Sequence, residues 1–434
     1  MTIKEKTAIM KEVSPQLAAS DISVRNAALS AIAEALKKNS EAIFAANRVD
    51  LDNAVANGLA APVIKRLTFN ESKLAGVLEG IHGLIDLPDP LGRLSLDREL
   101  DEGLELQRIA CPIGVIGVIF EARPDALVQI STLCLKSGNC AILKGGSETA
   151  NTNRELFNTI YHAAIGAGLP KGCLVQAEER SEITELLECD EYVDLLIPRG
   201  SNAFVRYIMD NTRITVMGHA DGVCHVYVDK DADQEMALKV IVDAKTQYVS
   251  VCNATETILI DRSIVDSFLP KLVNALKDAH VECHGDGEVR RAFEDLNLDT
   301  SGFCLMDPND YHTEYLDYKV SLKFTDGVYE AVKHINRFGS HHTDSIITAN
   351  DDTAKTFFSL VDSANVYHNC STRFADGFRY GFGAEVGIST SKLHARGPVG
   401  LEGLVTYKYL LHGNGHIVAD YADGRKAFHF RDLQ

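Results

Sequence analysis

The sequence has few positive charges for its length. Its 434 residues include 43 Lys and Arg against 61 Asp and Glu, which gives a formal net charge of −18 at pH 7. Nucleic acids and anionic membranes bind proteins through basic surfaces. The composition therefore excludes either of them as the main partner, and an anionic substrate needs a local cationic pocket.

Long apolar segments and paired cysteines are lacking as well. The first residues contain no apolar stretch of signal-peptide length, and the longest strongly apolar run, 115–120, is too short to cross a bilayer. The ten cysteines form no CxxC pair and show no zinc-type spacing. These features predict a soluble, reduced, cytoplasmic protein without a bound metal, in which a thiol can act as a nucleophile.

Helices are predicted over roughly the first ninety residues. Ser23 is the expected N-cap of one of them, and Ala28 and Ile32 lie on its buried face at a spacing of four. The segment LPDPLG at 87–92 ends this pattern. A hairpin is predicted next, near residues 97–111.

From about residue 113, short apolar runs alternate with helical stretches, a pattern typical of parallel, doubly wound α/β sheets. The predicted strands of the first series are 115–120, 140–143, 173–175, 193–197, 214–217 and 223–228. The second series is predicted to contain helices 232–246, 263–278, 327–338 and 350–363 and strands 256–261 and 344–348. Two α/β domains follow, with a ligand expected at the carboxyl ends of their strands. Because GxGxxG and P-loop fingerprints are absent, generic motifs leave the cofactor undetermined.

Six longer segments carry more information than the generic motifs. They are VIGVIFEARPD (115–125), LKSGN (135–139), IPRG (197–200), AKTQYVSVCNATET (244–257), NCSTRFADG (369–377) and HARGPVGLE (394–402). Together they resemble the gamma-glutamyl phosphate reductase family of the aldehyde dehydrogenase superfamily, over the chain up to about residue 412. Residues 413–434 are expected to extend beyond the common end of that family.

The resemblance implies a fold and a division of labour. The fold is aldehyde dehydrogenase-like α/β, with two doubly wound parallel-sheet domains and a small oligomerisation hairpin. A cofactor-binding domain is expected at 1–228 and a catalytic domain at 229–405. An oligomerisation strand and tail are expected at 406–434.

The resemblance also makes Cys252 the nucleophile. It implies that the thiolate attacks the carbonyl of L-glutamyl 5-phosphate, expels phosphate and forms a thioester, which hydride from NADPH reduces to glutamate 5-semialdehyde. Such a thiolate needs a lowered pKa or a nearby cation. For the other nine cysteines, the ordinary interpretation is a small buried apolar side chain.

The oxyanions of this reaction need hydrogen-bond donors, and one is expected to be the backbone N–H of Cys252. Where many relatives read ARPN, this chain has Asp125, as do the fused pyrroline-5-carboxylate synthases, which it also resembles at GHADGVCH (218–225). An ionised carboxylate cannot donate a hydrogen bond. Either Asp125 is protonated, or Asn253 or another amide serves instead.

A general base of the oxidising aldehyde dehydrogenases is missing. Those enzymes carry a Glu that activates water to hydrolyse the thioester, and this chain has Gly218 near that position. The absence favours reduction of an acyl phosphate. Two alternatives stay open: NAD-dependent aldehyde oxidation, and a non-catalytic member of the fold, which the departures from the family at Tyr248, Val251 and Asp125 support.

The cofactor implied by the resemblance is NADP. Lys144 matches a strand-end Lys that binds the adenosine ribose, and Ser147 replaces the acid with which NAD-preferring relatives hold the 2′-hydroxyl. Glu314 is the candidate for the nicotinamide ribose. The segment PRGSN (198–202) opens a predicted helix, and its backbone amides are expected at the pyrophosphate. The full set of cofactor-binding candidates is Lys144, Gly145, Ser147, Arg199, Gly200 and Glu314. For the glycines among them, an ordinary tight turn is the alternative.

Three arginines, Arg123, Arg373 and Arg396, are the candidates for binding the substrate carboxylate and phosphate, and ion pairs or solvated loops are their alternative. His394 and the pair 341–342 show no metal-ligand spacing and receive a structural or exposed role. A glutamate 5-kinase is the expected functional partner because it supplies the acyl phosphate. A homodimer or homotetramer is expected.

Overall fold

The computed structural model describes residues 1–121, 123–218 and 221–433. Ala122, His219 and Ala220, which belong to two of the motifs above, and Gln434 lie outside the described residues. The chain folds into two compact units: unit 1 is Met1–Gly218, Phe382–Gly387 and Val399–Gln434, and unit 2 is His219–Gly381 and Ile388–Pro398. No helix in the described part of the chain is long and apolar enough to span a membrane.

Unit 1 begins with helices, as predicted. They are α1 (Ile3–Ala18), α2 (Ile22–Lys38), α3 (Ser40–Ala56), α4 (Ala61–Leu67) and α5 (Glu71–Asp86). Ala28 and Ile32 of α2 are fully buried. The predicted N-cap is wrong, because the carboxylate of Asp21 accepts a hydrogen bond from the Ser23 backbone N–H at 2.8 Å and so caps the helix from two residues earlier.

The predicted hairpin is present as β1 (Leu94–Asp101) and β2 (Leu104–Pro112), and a parallel sheet with its helices follows. The elements are β3 (Val115–Phe120), α6 (Pro124–Lys136), β4 (Cys140–Lys144), α7 (Ala150–Gly166), β5 (Leu174–Ala177), α8 (Ser181–Leu187), β6 (Leu195–Arg199) and α9 (Asn202–Asp210). The strand order is β5-β4-β3-β6. The predicted strand at 214–217 is wrong: the run meets the sheet only in an isolated bridge between Val216 and Leu196, and its burial comes from side-chain packing.

The LKSGN segment has a structural explanation at the end of α6. The buried ammonium of Lys136 donates to Asn26 Oδ1 at 2.8 Å and to two backbone carbonyls. Asn139 donates to the Leu404 carbonyl and accepts from the Gly114 N–H, both at 2.8 Å. The buried donor groups of Lys136 and Asn139 therefore have hydrogen-bond partners, as burial of polar groups requires.

Unit 2 is built around a seven-stranded parallel sheet of order β10-β9-β11-β8-β7-β12-β13. Its elements are β7 (Cys224–Val228), α10 (Gln234–Thr246), β8 (Thr255–Asp261), α11 (Val265–Asp278), β9 (Glu282–Gly285), α12 (Gly287–Asp295), β10 (Phe303–Leu305), β11 (Lys319–Thr325), α13 (Val328–Phe338), β12 (Thr343–Ile347), α14 (Asp351–Leu360) and β13 (Asn365–His368), with the short pair β14 (Ile388–Ser389) and β15 (Gly397–Pro398). β7 was expected to close the first series, but it hydrogen-bonds with β8 and β12. The first unit therefore ends before β7 and not after it, and the segments β9 to β11 had no sequence prediction.

The C-terminal segment joins the hairpin in unit 1. It contains β16 (Val405–His412), α15 (Val418–Ala422) and β17 (Arg431–Asp432), and the antiparallel sheet order is β16-β2-β1-β17. Tyr421 stacks on Phe428 at a ring-centroid distance of 4.2 Å, and Arg98 of β1 pairs with Asp432 of β17. The tail thus covers the outer edge of β1.

A buried histidine lies among aromatic rings on α13. His334 is 5% exposed, and its ring lies 4.8 Å from that of Phe338 and 5.0 Å from that of Tyr311. Burial lowers the pKa of His334 from 6.5 to about 2. The imidazole therefore stays neutral in the folded protein at pH values where an unfolded histidine is charged.

This depressed pKa makes the fold acid-sensitive. As the pH falls below 6.5, the unfolded chain binds a proton that folded His334 refuses until about pH 2. We expect the free energy of unfolding to decrease over that window, with a contribution of up to ~1.4 kcal/mol per pH unit from this one group. Urea unfolding between pH 6 and pH 4 should therefore show a smaller pH slope for His334→Phe than for the wild type. An exposed control, His162→Gln, should keep the wild-type slope; equal slopes for His334→Phe and the wild type would contradict the assignment.

Candidate active site

Cys252 lies in the loop between α10 and β8, at the amino end of β8. His342 directly precedes β12, and β7 lies between β8 and β12 in the sheet. Because parallel strands begin at the same edge of a sheet, the loop with Cys252 and the residue before β12 meet there. This edge is opposite to the carboxyl edge at which a ligand was expected.

His342 contacts the sulfur directly. Its Nε2 lies 3.2 Å from Cys252 Sγ, and its Nδ1 lies 2.7 Å from the hydroxyl oxygen of Thr343. The imidazole is buried, whereas Cys252 is half-buried. Sequence reasoning gave His342 no chemical role; the available signal was its place immediately before an apolar run.

The other cysteines are less suited to nucleophilic chemistry. Burial raises the thiol pKa of eight of them: Cys111, Cys134, Cys140, Cys173, Cys189, Cys224, Cys283 and Cys370. For Cys134, Cys173 and Cys283 it reaches about 12. A thiol with a raised pKa supplies little thiolate at neutral pH.

Asn253 holds a buried cation beside Cys252. Its Nδ2 donates to the Ala375 carbonyl at 2.8 Å, and its Oδ1 accepts from the Arg373 guanidinium. Arg373 Nε also donates to Gln247 Oε1 at 3.0 Å. The guanidinium is buried, which lowers its pKa, and its charge interacts with Cys252. The Asn253 side chain therefore positions Arg373 through its oxygen, and one of its two amide N–H groups donates to the Ala375 carbonyl.

Gly222 packs against Cys252. A Cβ at this position would lie 2.4 Å from both the Cα and the carbonyl oxygen of Cys252. Such a distance excludes any side chain unless the backbone moves. The sequence signal was the DG pair within GHADGVCH. Sequence analysis used this segment for a family resemblance and for the missing base at Gly218, and gave Gly222 no role of its own.

In unit 1, Asp125 lies in the first turn of α6 and is 5% exposed. Its carboxylate pairs with Lys73 at 3.0 Å and with Arg123 at 3.4 Å. Burial disfavours the charged form, but Arg123 and Lys73 outweigh it and hold the pKa of Asp125 below its usual value. The carboxyl is therefore ionised at neutral pH and cannot donate to an oxyanion, which removes the protonated alternative.

Three cofactor candidates of unit 1 lie at or just after the end of β4. The buried ammonium of Lys144 donates to the Gly145 carbonyl at 2.6 Å, and burial lowers its pKa. A Cβ on Gly145 would lie 2.2 Å from Asn153 Nδ2, so glycine is required there by close packing. Ser147 is exposed. An ammonium has three donors, so Lys144 fits the hydroxyl groups of a ribose.

Two further candidates lie between β6 and α9. Arg199 ends β6, Gly200 follows, and the Ser201 side chain makes no capping hydrogen bond at the start of α9. The Glu121 carboxylate accepts a hydrogen bond from the Ser201 backbone, so this helix start already attracts an anion. Helix starts of this kind fit phosphate groups.

The remaining candidates lie in unit 2. Glu314 is half-buried in the segment before β11, and its charge acts on buried Glu256. Arg396 donates to Asp362 Oδ1 and to the Asp362 carbonyl, both at 3.1 Å. Arg396 is thus engaged by a carboxylate, unlike Arg373, whose side-chain hydrogen bonds go to amide oxygens.

Comparison with known proteins decides the family. The sequence model of the aldehyde dehydrogenase family matches residues 1–290. The chain is 54% identical over 428 residues to a gamma-glutamyl phosphate reductase from Acetivibrio thermocellus, covering 99% of this chain and 97% of the relative. The corresponding protein from Pelotomaculum thermopropionicum is 55% identical over 433 residues, covering 100% and 98%. The chain belongs to the gamma-glutamyl phosphate reductase family.

A solved structure extends the match to three dimensions. The crystal structure of the gamma-glutamyl phosphate reductase from Thermotoga maritima superposes with a TM-score of 0.92 at 36% identity, covering 96% of this chain and 100% of that one. The aldehyde dehydrogenase-like α/β fold predicted from the sequence is confirmed. The C-terminal tail is not an extension beyond the family, because the alignment with the Pelotomaculum reductase covers the whole chain.

The contact between Gly222 and Cys252 predicts the effect of a single methyl group. We expect Gly222→Ala to displace the sulfur from His342 and Arg373, and to slow modification of Cys252 by iodoacetamide roughly tenfold, the equivalent of ~1.4 kcal/mol. Peptide mass spectrometry at fixed times measures the rate. Gly287→Ala is the matched control, since a Cβ there meets nothing within 4 Å. Equal rates for the wild type and Gly222→Ala would show that the close approach is not needed.

Proposed function

We propose that the protein catalyses the NADPH-dependent reduction of L-glutamyl 5-phosphate to L-glutamate 5-semialdehyde and phosphate, the second step of proline synthesis from glutamate. The observation that carries this proposal is the half-buried Cys252, with an imidazole 3.2 Å from its sulfur and the buried charge of Arg373 acting on it. Full-length relatives named for this reaction support it.

The chemistry begins at the sulfur. In the proposed reaction, the Cys252 thiolate attacks the carbonyl carbon of the acyl phosphate, a C–S bond forms, and the C–O bond to phosphate breaks with its electron pair leaving on the phosphate. Arg373 supplies positive charge next to this carbon. Because its own hydrogen bonds go to Gln247 and Asn253 and not to carboxylates, its charge is available to an oxyanion or a phosphate.

Other residues are proposed to contact the substrate or to position the groups that do. The backbone N–H of Cys252 is the proposed oxyanion donor. Arg123 and Arg396 are proposed to bind the substrate carboxylate and phosphate. In the free protein, Arg123 pairs with Asp125 and Arg396 pairs with Asp362, and each arginine is proposed to replace this partner by an anionic group of the substrate. Asp125 is proposed to orient Lys73 and Arg123.

A nicotinamide nucleotide fits the residues at the ends of β4 and β6. Lys144, Gly145 and Ser147 are proposed to hold the adenosine ribose, the backbone at 199–200 the pyrophosphate, and Glu314 the nicotinamide ribose. When bound, NADPH supplies the hydride that reduces a thioester to an aldehyde. The proposal favours NADPH over NADH because Ser147 places no carboxylate where a 2′-phosphate binds.

Two partners belong to the proposal. An acyl phosphate is short-lived, so a glutamate 5-kinase is the proposed functional partner, acting in the same cytoplasmic compartment. The antiparallel sheet of β16, β2, β1 and β17 is proposed to contribute to a homodimer or homotetramer.

Removing the nucleophile tests the reaction. We expect Cys252→Ser to lose roughly 10⁴-fold or more of the activity, because a serine hydroxyl at neutral pH does not form the thioester. The assay is phosphate-dependent reduction of NADP⁺ with glutamate 5-semialdehyde. Cys304→Ser removes an exposed thiol and should retain wild-type activity. Full activity of Cys252→Ser would refute the assigned role, and turnover that ignores phosphate would favour aldehyde oxidation.

A second substitution tests the cofactor. We expect Ser147→Asp to raise the KM for NADP⁺ at least about tenfold while changing that for NAD⁺ less, because the added carboxylate repels a 2′-phosphate. Initial rates with both cofactors measure the ratio. Ser359→Asp adds the same charge to an exposed helix of unit 2 and should leave both values unchanged. An unchanged preference in Ser147→Asp would overturn the assignment of this position.

A further inference from the structure

We propose that His342 is a catalytic residue of this reaction, which takes the thiol proton from Cys252 and delivers it to the departing phosphate. Only the delivery of the proton to phosphate rests on the proposed function. The contact of His342 Nε2 with Cys252 Sγ, at 3.2 Å, concerns the free protein. The nucleophile and its base then come from the loops before two strands that flank β7.

The proposal assigns to His342 the tautomer in which Nδ1 carries the hydrogen and Nε2 faces the sulfur as an acceptor. Nδ1 lies 2.7 Å from Thr343 Oγ1. That oxygen also accepts a hydrogen bond from Asn365 Nδ2 at 3.1 Å, and a hydroxyl oxygen has two acceptor lone pairs. In that tautomer, Nδ1–H is the second donor to this oxygen and the Nε2 lone pair faces Cys252 Sγ.

The backbone of His342 is fixed as well. Its carbonyl accepts from the Asn365 backbone N–H and from Asn365 Nδ2, both at 3.0 Å. The ring is therefore held at its peptide and at Nδ1. A base positioned in this way loses little conformational entropy when it acts.

One cation and one neutral thiol lie close to Cys252. Arg373 places a cation near Cys252, and the neighbouring thiol of Cys224, whose pKa burial raises well above its usual value, stays neutral and donates to the Cys252 carbonyl at 3.2 Å. An ordinary thiol is only a few per cent ionised at pH 7. Transfer of the proton to His342 gives a thiolate–imidazolium pair beside Arg373.

The proton balance of the step is complete. The S–H bond breaks and an N–H bond forms at Nε2; the C–S bond then forms as the C–O bond to phosphate breaks. The departing trianion takes the proton from Nε2 and leaves as hydrogen phosphate. His342 is neutral again, and no further oxidant or acid is needed for thioester formation.

The test is the reactivity of Cys252 in the free, full-length protein. In His342→Gln, the amide still reaches the sulfur but cannot accept its proton at neutral pH. We expect the rate of Cys252 modification by iodoacetamide at pH 7 to fall at least about tenfold, because the variant has no base at this position to take the thiol proton. Peptide mass spectrometry gives the rate, and exposed Cys304 is the internal control. The matched variant is His341→Asn, since His341 Nδ1 faces the Asp362 carbonyl at 2.6 Å; it should modify at the wild-type rate.

A second variant guards against misfolding. Thr343→Val keeps the shape of the side chain and removes the oxygen that fixes Nδ1, so it should slow modification to a smaller degree than His342→Gln, whose folding is checked by its melting temperature. If His342→Gln does not fold, Thr343→Val decides alone. The proposal is overturned if Cys252 is modified at the wild-type rate in a folded His342→Gln variant. If that variant does not fold, the same result in Thr343→Val overturns the proposal.

The two proposals fail separately. Modification is measured without substrate, so a slow His342→Gln together with no phosphate-dependent turnover in the wild type would refute the reaction and keep the proton acceptor. Phosphate-dependent turnover in the wild type, together with an unchanged rate of Cys252 modification in His342→Gln, would keep the reaction and refute the proton acceptor.

Discussion

The place of the Cys252 sulfur depends on one buried ion pair, between Lys245 and Glu256. Lys245 is in the last turn of α10 and Glu256 is near the start of β8, and their side chains are fully buried at an N–O distance of 2.6 Å. The pair joins the two ends of the loop that carries Cys252. Burial raises the pKa of Glu256 to about 7 and lowers that of Lys245. Loss of either partner leaves an uncompensated buried charge, at a cost of about 3–5 kcal/mol.

The loop that carries Cys252 is also held by uncharged hydrogen-bonding groups, in contrast to the Lys245–Glu256 ion pair. These groups determine which partners Arg373 has. Thr372 donates to the Asn253 carbonyl at 2.7 Å, and Asn253 in turn holds Arg373. Arg123 and Arg396 meet carboxylates in the folded protein, whereas Arg373 is hydrogen-bonded by amides. Among the described residues, Arg373 has no carboxylate at hydrogen-bond distance, and in a chain with a net charge of −18 such a cation beside Cys252 is suited to attract an anion.

Much of the fold follows from local pattern. Alternating apolar runs and helical stretches predicted the parallel sheets, and the hairpin at β1 and β2 lies where it was expected. The errors occur where contacts over long sequence distances decide. The run at 214–217 has the composition of a strand but lies beside the end of a sheet, and β7 belongs to unit 2 because its partners β8 and β12 come later in the chain.

The sequence alone determined the family and the α/β class, and it singled out Cys252 among ten cysteines as the candidate nucleophile, because these inferences depend on residues that are neighbours in the chain. Tertiary structure decided what surrounds the sulfur. His342 is 90 positions from Cys252, and Arg373 is 120 positions from Asn253. No periodicity or short motif links such positions. They meet because parallel strands start at a common edge of the sheet. In addition, Gly222 has no side chain, so its backbone can lie directly against that of Cys252.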